Sequence, residues 1–306
     1  MEKKSIIYIV LTAFFFGTLE VASKLGGASF NAIQLVFLRF LIGGVMLLPF
    51  AIHDLKKRAY KLTKSDLFYL LGLGVICVCI SMAMLQYGVK RVNANLASII
   101  ISMNPLFTMI FARFLVGEPF TKKKALVLVI SFIGLLVVLN PATLFTGSID
   151  PFGLIITLLA AISFGLFTAM GKKRLAKIGG MAQNSFSFLL GCAVLFIVML
   201  VAKIPVVEGI TLQSLPVLLY LGIFVTGAGY ICFMKAVEIA GPSNASLAFF
   251  IKPVLAPVIA FLVLGEKFTW NLIVGIVIIL IGSYINMRPE KKIVKEEKPV
   301  QAVKTV

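Results

Sequence analysis

Long apolar runs joined by short charged connections leave this 306-residue chain one environment that suits it, a lipid bilayer. Leu67–Val89 and Asn184–Ala202 carry no charged side chain, and Ala32–Ile52 carries only Arg39. About 20 mostly apolar residues suffice to cross the hydrocarbon layer as a helix. Hydrophobic residues make up 60% of the chain and charged ones 13%, against about 25% charged in a soluble domain. A net charge of +17 in a soluble protein would point to nucleic acid. Here the basic residues sit between the apolar runs and act as topology signals, so no nucleic-acid partner is expected. The first run follows Lys3 and Lys4 as a signal peptide would, but it lacks a small-residue cleavage pattern and a second run follows at once, so it is read as a retained helix. Cys77, Cys79, Cys192 and Cys232 all lie in apolar segments without ligand spacing, and His53 lies in an expected loop beside Asp54. No metal or cofactor is expected.

The runs resolve into ten spans: Ile6–Lys24, Asn31–Ile52, Asp66–Val89, Asn93–Val116, Lys124–Leu139, Pro151–Gly171, Met181–Ala202, Leu215–Glu238, Ser243–Leu264 and Trp270–Arg288. With alternating connections, one side collects 20 of the 29 lysines and arginines, and the other holds five, Lys24, Lys90, Arg91, Lys203 and Lys267. The basic side is the cytoplasmic one. Both termini are therefore expected in the cytoplasm of a multi-pass protein of the cytoplasmic (inner) membrane. The tail 289–306 mixes Lys, Glu, Pro and Val without helical period and is expected to be disordered.

An internal repeat sharpens this reading. The segments Asn93–Thr121 and Gly241–Thr269 align without a gap at an offset of 148 residues. Ala97, Ser98, Pro105, Ala112, Gly117, Glu118, Phe120 and Thr121 meet identical residues at Ala245, Ser246, Pro253, Ala260, Gly265, Glu266, Phe268 and Thr269. The same offset carries Ala13, Phe16 and Gly17 onto Ala161, Phe164 and Gly165, Lys24 onto Lys172 and Gly134 onto Gly282. The chain divides into a first repeat over 1–140 and a second over 141–288. Each holds five spans, an odd number, so the halves cross the membrane in opposite senses. Inverted repeats of this kind belong to secondary transporters, with the substrate site at mid-depth between the halves.

The ten spans, the Asn104-Pro105 and Lys252-Pro253 steps and the paired Gly-Glu-x-Phe-Thr turns resemble the drug/metabolite transporter superfamily, in particular its EamA-type ten-helix members. The resemblance spans about residues 6–288. It implies an all-α membrane fold that moves small metabolites or cationic drugs, often outward, through a cavity lined mainly by the first, third, fourth, sixth, eighth and ninth spans. The superfamily's small four-helix multidrug members use a glutamate in their first helix, and this chain has Glu20 in its first span, nearer the external end.

Ionisable and polar residues at depth are functional candidates. Asn104 and Lys252 are repeat equivalents, each followed by a proline that removes a backbone donor. Lys252 suits a carboxylate, and the structural alternative is a pair with a nearby acid. Glu20 and Lys24 have the i,i+4 spacing of a simple helix ion pair; the other reading makes Glu20 a proton site. Asn95, Ser98 and Ser102 share one helix face, and Gln86 and Tyr230 add polar edges. These eight residues (Asn104, Lys252, Glu20, Gln86, Tyr230, Asn95, Ser98 and Ser102) form the candidate substrate site. Arg39 has no obvious partner. Lys235 and Glu238 read as an interfacial pair or gate bond. Phe16 and Phe164 are candidate aromatic walls, and Gly43, Gly44, Gly72 and Gly74 are expected at close helix contacts. A bend is expected in the ninth span, where Pro257 follows Pro253.

No metalloprotease, serine–histidine, paired-aspartate or nucleotide-binding pattern is present, so the chain is not read as an enzyme or an ATP-driven pump. The favoured function is secondary transport of an amino acid-like solute, as an exporter, by alternating access with proton coupling or exchange. Multidrug or cationic-compound efflux and, less favoured, a channel are the alternatives. A monomer suffices for such a carrier; a dimer stays open.

Overall fold

The computed structural model describes residues 3–26, 29–139 and 150–287, and every regular element among them is helical. Ten rods follow in order: α1 Lys3–Gly26, α2 Ala32–Lys57, α3 Lys64–Arg91, α4 Ala94–Val116, α5 Lys122–Leu139, α6 Pro151–Gly171, α7 Gly180–Val201, α8 Leu215–Ala240, α9 Pro242–Leu264 and α10 Trp270–Met287. Eight are long and apolar enough to cross a bilayer by length and composition; α5 and α10, with 18 residues each, complete the two halves. Large apolar side chains such as Phe114 (81% exposed) and Trp270 (80%) cover the outside, as a surface facing lipid requires.

Local chemistry sets the helix ends. Asn31 and Gln34 form a capping box on α2, and Thr63 and Asp66 form one on α3, so that side chains satisfy amides with no helical partner. Asn93 accepts the Leu96 amide at the start of α4. Asp150 caps α6 by accepting the Phe152 amide and is also bound by Arg91 at 2.9 Å. The Arg91 hydrogen bond and the capped amides hold the Asp150 carboxyl below its usual range. Gly117 and Gly265 end α4 and α9 in the left-handed conformation. Two π-helical stretches, Val75–Met82 in α3 and Tyr220–Ala228 in α8, overlap under the repeat offset. Such windings are rare and tend to mark functional positions.

The principal helix contacts obey the repeat. Exchanging each helix of one half for its equivalent turns α1–α9 into α6–α4, α1–α8 into α6–α3, and α2–α8 into α7–α3, and all these pairs are in contact. The pairs α2–α7, α4–α9 and α5–α10 map onto themselves. The core is thus built between the halves. Equivalent helices run in opposite senses. Lys24, ending α1, lies beside Val92 and Glu266, whereas Lys172, ending α6, lies at the other rim beside Val237 and Glu238. The rim that carries Glu238 is here the basal rim, and the one that carries Glu266 the distal rim.

Some expectations need correction. His53 and Asp54 are not in a loop. α2 continues to Lys57 because Arg58 ties its last turn together, binding Asp54 at 3.1 Å while also reaching the Ala176 carbonyl and Glu238. A Cβ added at Gly72 would meet no other element within 4 Å among the described residues, so no close helix contact is built there. One is built at Gly74: α3 and α7 cross backbone to backbone there, and a Cβ on Gly191 would lie 2.7 Å from the Gly74 carbonyl oxygen. The irregular turn of α9 falls at Ser246–Leu247, ahead of the expected bend, with three-residue hydrogen bonds from the Phe249 and Phe250 amides. The tail expected to be disordered lies outside the described residues.

The α3–α7 crossing predicts an asymmetric result. Gly191→Ala should cost at least about 1–3 kcal/mol through overpacking, whereas Gly72→Ala should stay within about 0.5 kcal/mol of the parent. Thermal unfolding of the purified proteins in detergent checks this.

Candidate functional site

The site begins with a close crossing. Gly17 of α1 packs on Leu255 of α9, where a Cβ would come within 2.6 Å of Leu255 Cδ2. The repeat copies this contact: Gly165 of α6 packs on Phe107 of α4, with 2.7 Å between a Cβ and Phe107 Cβ. Residues three apart share a helix face. Glu20, three after Gly17, and Lys252, three before Leu255, therefore face each other across the crossing. Lys252 Nζ donates to Glu20 Oε1 at 2.6 Å, with the side chains 1% and 0% exposed. Glu20 does not pair with Lys24, as the i,i+4 spacing had allowed. Lys24 reaches the distal rim instead, donating to the Val92 carbonyl at 3.1 Å and lying 3.6 Å from Glu266. The physical reason is depth. A carboxylate buried at Glu20 needs a buried cation, whereas Lys24 is a third exposed and can be satisfied at the rim.

A second cation closes the site. Arg39 of α2 is 1% exposed, lies 4.5 Å over the Phe40 ring, and donates from Nη1 to Thr226 Oγ1 at 3.2 Å. Thr226 is presented by the π-helical turn of α8 and donates in turn to the Leu221 carbonyl five residues back. Arg39 Nε and Glu20 Oε2 find no hydrogen-bond partner among the described residues. Arg39 and Lys252 line the same cavity. The site therefore holds two cations and one carboxylate.

Around these charges lies a narrow cavity lined by Phe16 and Leu19 of α1, Arg39 of α2, Met82 and Leu85 of α3, Ile101 of α4, Phe164 of α6, Val225 and Tyr230 of α8, and Phe249 and Lys252 of α9. The six spans implied by the family resemblance all contribute, and α2 joins them. About 270 Å³ of unfilled space is divided among these side chains, with room for about one water molecule. The centre is occluded. Tyr230 is wrapped by Phe16, Phe40, Phe164, Phe167 and Phe188, with ring centroids 4.8–6.3 Å away.

Of the candidate residues, Lys252 and Tyr230 line this cavity, and Glu20 lies behind the lining, held to Lys252. Asn104 is fully buried but accepts from Thr108 Oγ1 at 2.6 Å and does not line it. Nor do Gln86, Asn95, Ser98 and Ser102, which are all buried. Ser102 donates to the Ser98 carbonyl, and the Asn95 amide is bound by Glu266. Lys235 and Glu238 pair at 2.8 Å near the basal rim. Arg39 and Thr226 were not among the candidates. Arg39 had a signal, an arginine inside an apolar span; Thr226 had none, because its role comes from the π-helical winding.

The pair makes a stability prediction. Glu20→Gln leaves Lys252 buried without its counter-charge and should cost about 3–5 kcal/mol, whereas Glu20→Gln with Lys252→Met should regain most of that. Detergent-solubilised unfolding of the two single variants and the double variant measures the coupling.

Two segments, residues 3–140 and 151–288, each match the model of the EamA-like transporter family, displaced by the same 148 residues as the internal repeat. A protein of Clostridium kluyveri called an uncharacterized transporter is 40% identical over 295 residues, covering 95% of each chain. The S-adenosylmethionine uptake transporter of Rickettsia prowazekii is 27% identical over 276 residues, covering 89% of this chain and 88% of its own. A solved crystal structure, 16% identical, covers 94% of this chain and 97% of its own with a TM-score of 0.69, a likeness of fold. With family matches on both halves of a ten-helix inverted-repeat bundle, the chain belongs to the EamA-like transporter family.

Proposed function

We propose that this transporter is a secondary active carrier of a small carboxylate-bearing metabolite, amino acid-like in its polar end, working by alternating access. The observation that carries this reading is the buried Glu20–Lys252 pair with Arg39 beside it. A substrate carboxylate can take the place of Glu20 on Lys252, and Arg39 offers it a second cation. Two carboxylates and two cations would then share the site, and a proton on Glu20 restores the resting charge. Like charges held close resist joint ionisation, so substrate and proton are coupled. The remaining candidates, Asn104, Gln86, Asn95, Ser98 and Ser102, are proposed to contact substrate only once the occluded bundle opens.

In this scheme the proton travels with the substrate. Export, the direction the sequence resemblance favours, follows when the metabolite's own outward gradient outweighs the proton gradient, and exchange of one solute for another needs no net proton flow. The name of the rickettsial relative supports a carboxylate-bearing solute, since S-adenosylmethionine ends in an amino-acid group. Two buried cations oppose a purely cationic drug. The charge bias supports a place in the cytoplasmic membrane with both termini inside. The basal rim is then cytoplasmic and the distal rim external.

Proteoliposomes should take up labelled amino acid-like solutes saturably, and faster when pre-loaded with the unlabelled solute; flux that rises without saturation contradicts the carrier reading. Lys252→Gln should weaken apparent affinity at least about 30-fold, the loss of about 2 kcal/mol or more from a buried charge contact. Glu20→Gln should retain exchange but lose its response to a pH gradient. An unchanged response rules out the proton role of Glu20.

A further inference from the structure

The Gly-Glu turns that mark the repeat have partners in the opposite half. Glu266, in the turn after α9, accepts the Ala94 amide on Oε1 at 2.8 Å and the Asn95 amide on Oε2 at 3.0 Å. These are the first amides of α4, which have no helical acceptor, and the positive end of the helix favours a carboxylate there. Asn93 satisfies the next one. Lys24 of α1, one turn beyond Glu20, stands 3.6 Å from Glu266 and joins the same cluster. The other rim joins the equivalent turn to the equivalent helix start, through a hydroxyl in place of the backbone amides. Glu118, in the turn after α4, accepts a hydrogen bond from Ser243 Oγ in the first turn of α9 and stands 3.7 Å from Lys124 of its own half. The offset of 148 carries Glu118 onto Glu266 and Asn95 onto Ser243.

We propose that Glu266 and Glu118 are the two gate latches of the carrier: Glu266 holds the distal rim shut by gripping the start of α4, Glu118 holds the basal rim shut by gripping the start of α9, and the two release in turn. The proposal rests on the alternating-access reading and adds to it the residues that hold each gate. Three observations support it. Both contacts are closed here while the central cavity is occluded. Both cross between the halves, so a relative movement of the halves must break one or the other. Glu266 and Glu118 are 15% and 23% exposed, so water can replace the lost partners when a latch opens. α1 connects the centre to the distal latch, since it carries both Glu20 and Lys24. Breaking the Glu20–Lys252 pair therefore frees the helix whose end steadies Glu266.

The test is hydrogen–deuterium exchange of the full chain in lipid nanodiscs, followed on the peptides that cover Ala94–Ala97 and Ser243–Ser246, with solute counterflow measured on the same variants. Glu266→Ala should speed exchange in the first peptide at least about tenfold by raising the population of the locally open form and leave the second unchanged; Glu118→Ala should do the reverse. Glu266→Gln, which keeps the length of the side chain and a weaker acceptor, should give a smaller change in the same place, and it serves if the alanine variant folds poorly. With both glutamates replaced by alanine, the protein should leak solute without counterflow. If either single variant opens both rims equally, or neither changes its own peptide while saturable counterflow persists, the latch assignment is wrong and the carrier reading stands. If counterflow is absent in the parent although the exchange pattern is as expected, the latches join the halves but gate no transport, and the proposal fails with the carrier reading.

Discussion

A lysine and a glutamate with almost no exposed surface, 2.6 Å apart in the interior of a membrane bundle, set the terms for the rest of this protein. Neither charge is tolerable there alone. Each therefore depends on the other half of the chain, and the halves must meet closely enough to hold the pair. Gly17 provides that approach by letting α1 lie against Leu255 of α9. Arg39 then adds a positive charge that Glu20 cannot balance once it is engaged with Lys252, and the proposed binding of a substrate carboxylate rests on this excess.

The same duplication underlies the proposed alternating access. Because the main contacts map onto one another when the halves are exchanged, a conformation open at one rim would have a counterpart open at the other with similar packing. The copies are not identical, and the differences carry the specific chemistry. Lys252 stands where the first half has Asn104, so at this repeat position only the second half brings a charge. Asn104 turns to Thr108 of its own helix instead. The aromatic shell around Tyr230 and the π-helical turns of α3 and α8 surround this asymmetric centre.

Much of the architecture is legible in the sequence because it depends on features with long range: span length, charge bias and a constant repeat offset. Helix ends are legible where a capping residue stands, as at Asn31 and Asn93, and less so at His53, where Arg58 extends the helix through contacts with residues distant in sequence. The site is only partly legible. Lys252, Glu20 and Tyr230 announce themselves as polar residues at depth, but so do Asn95, Ser98 and Ser102, and only the rotation of each helix decides which of them faces the cavity. The choice of Lys252 over Lys24 as the partner of Glu20 is a tertiary contact 232 residues apart, which helical spacing cannot rank against a neighbour four residues away. Thr226 depends on a local winding that leaves no mark in residue type.

The central claim is that a substrate carboxylate displaces Glu20 from Lys252 and leaves Glu20 protonated. Infrared difference spectroscopy of the protein in lipid, with and without a transported solute, reads this directly. A protonated-carboxyl band is expected to appear on substrate binding and to be missing in Glu20→Gln. Saturable binding without such a band, or the same band in Glu20→Gln, would contradict this claim.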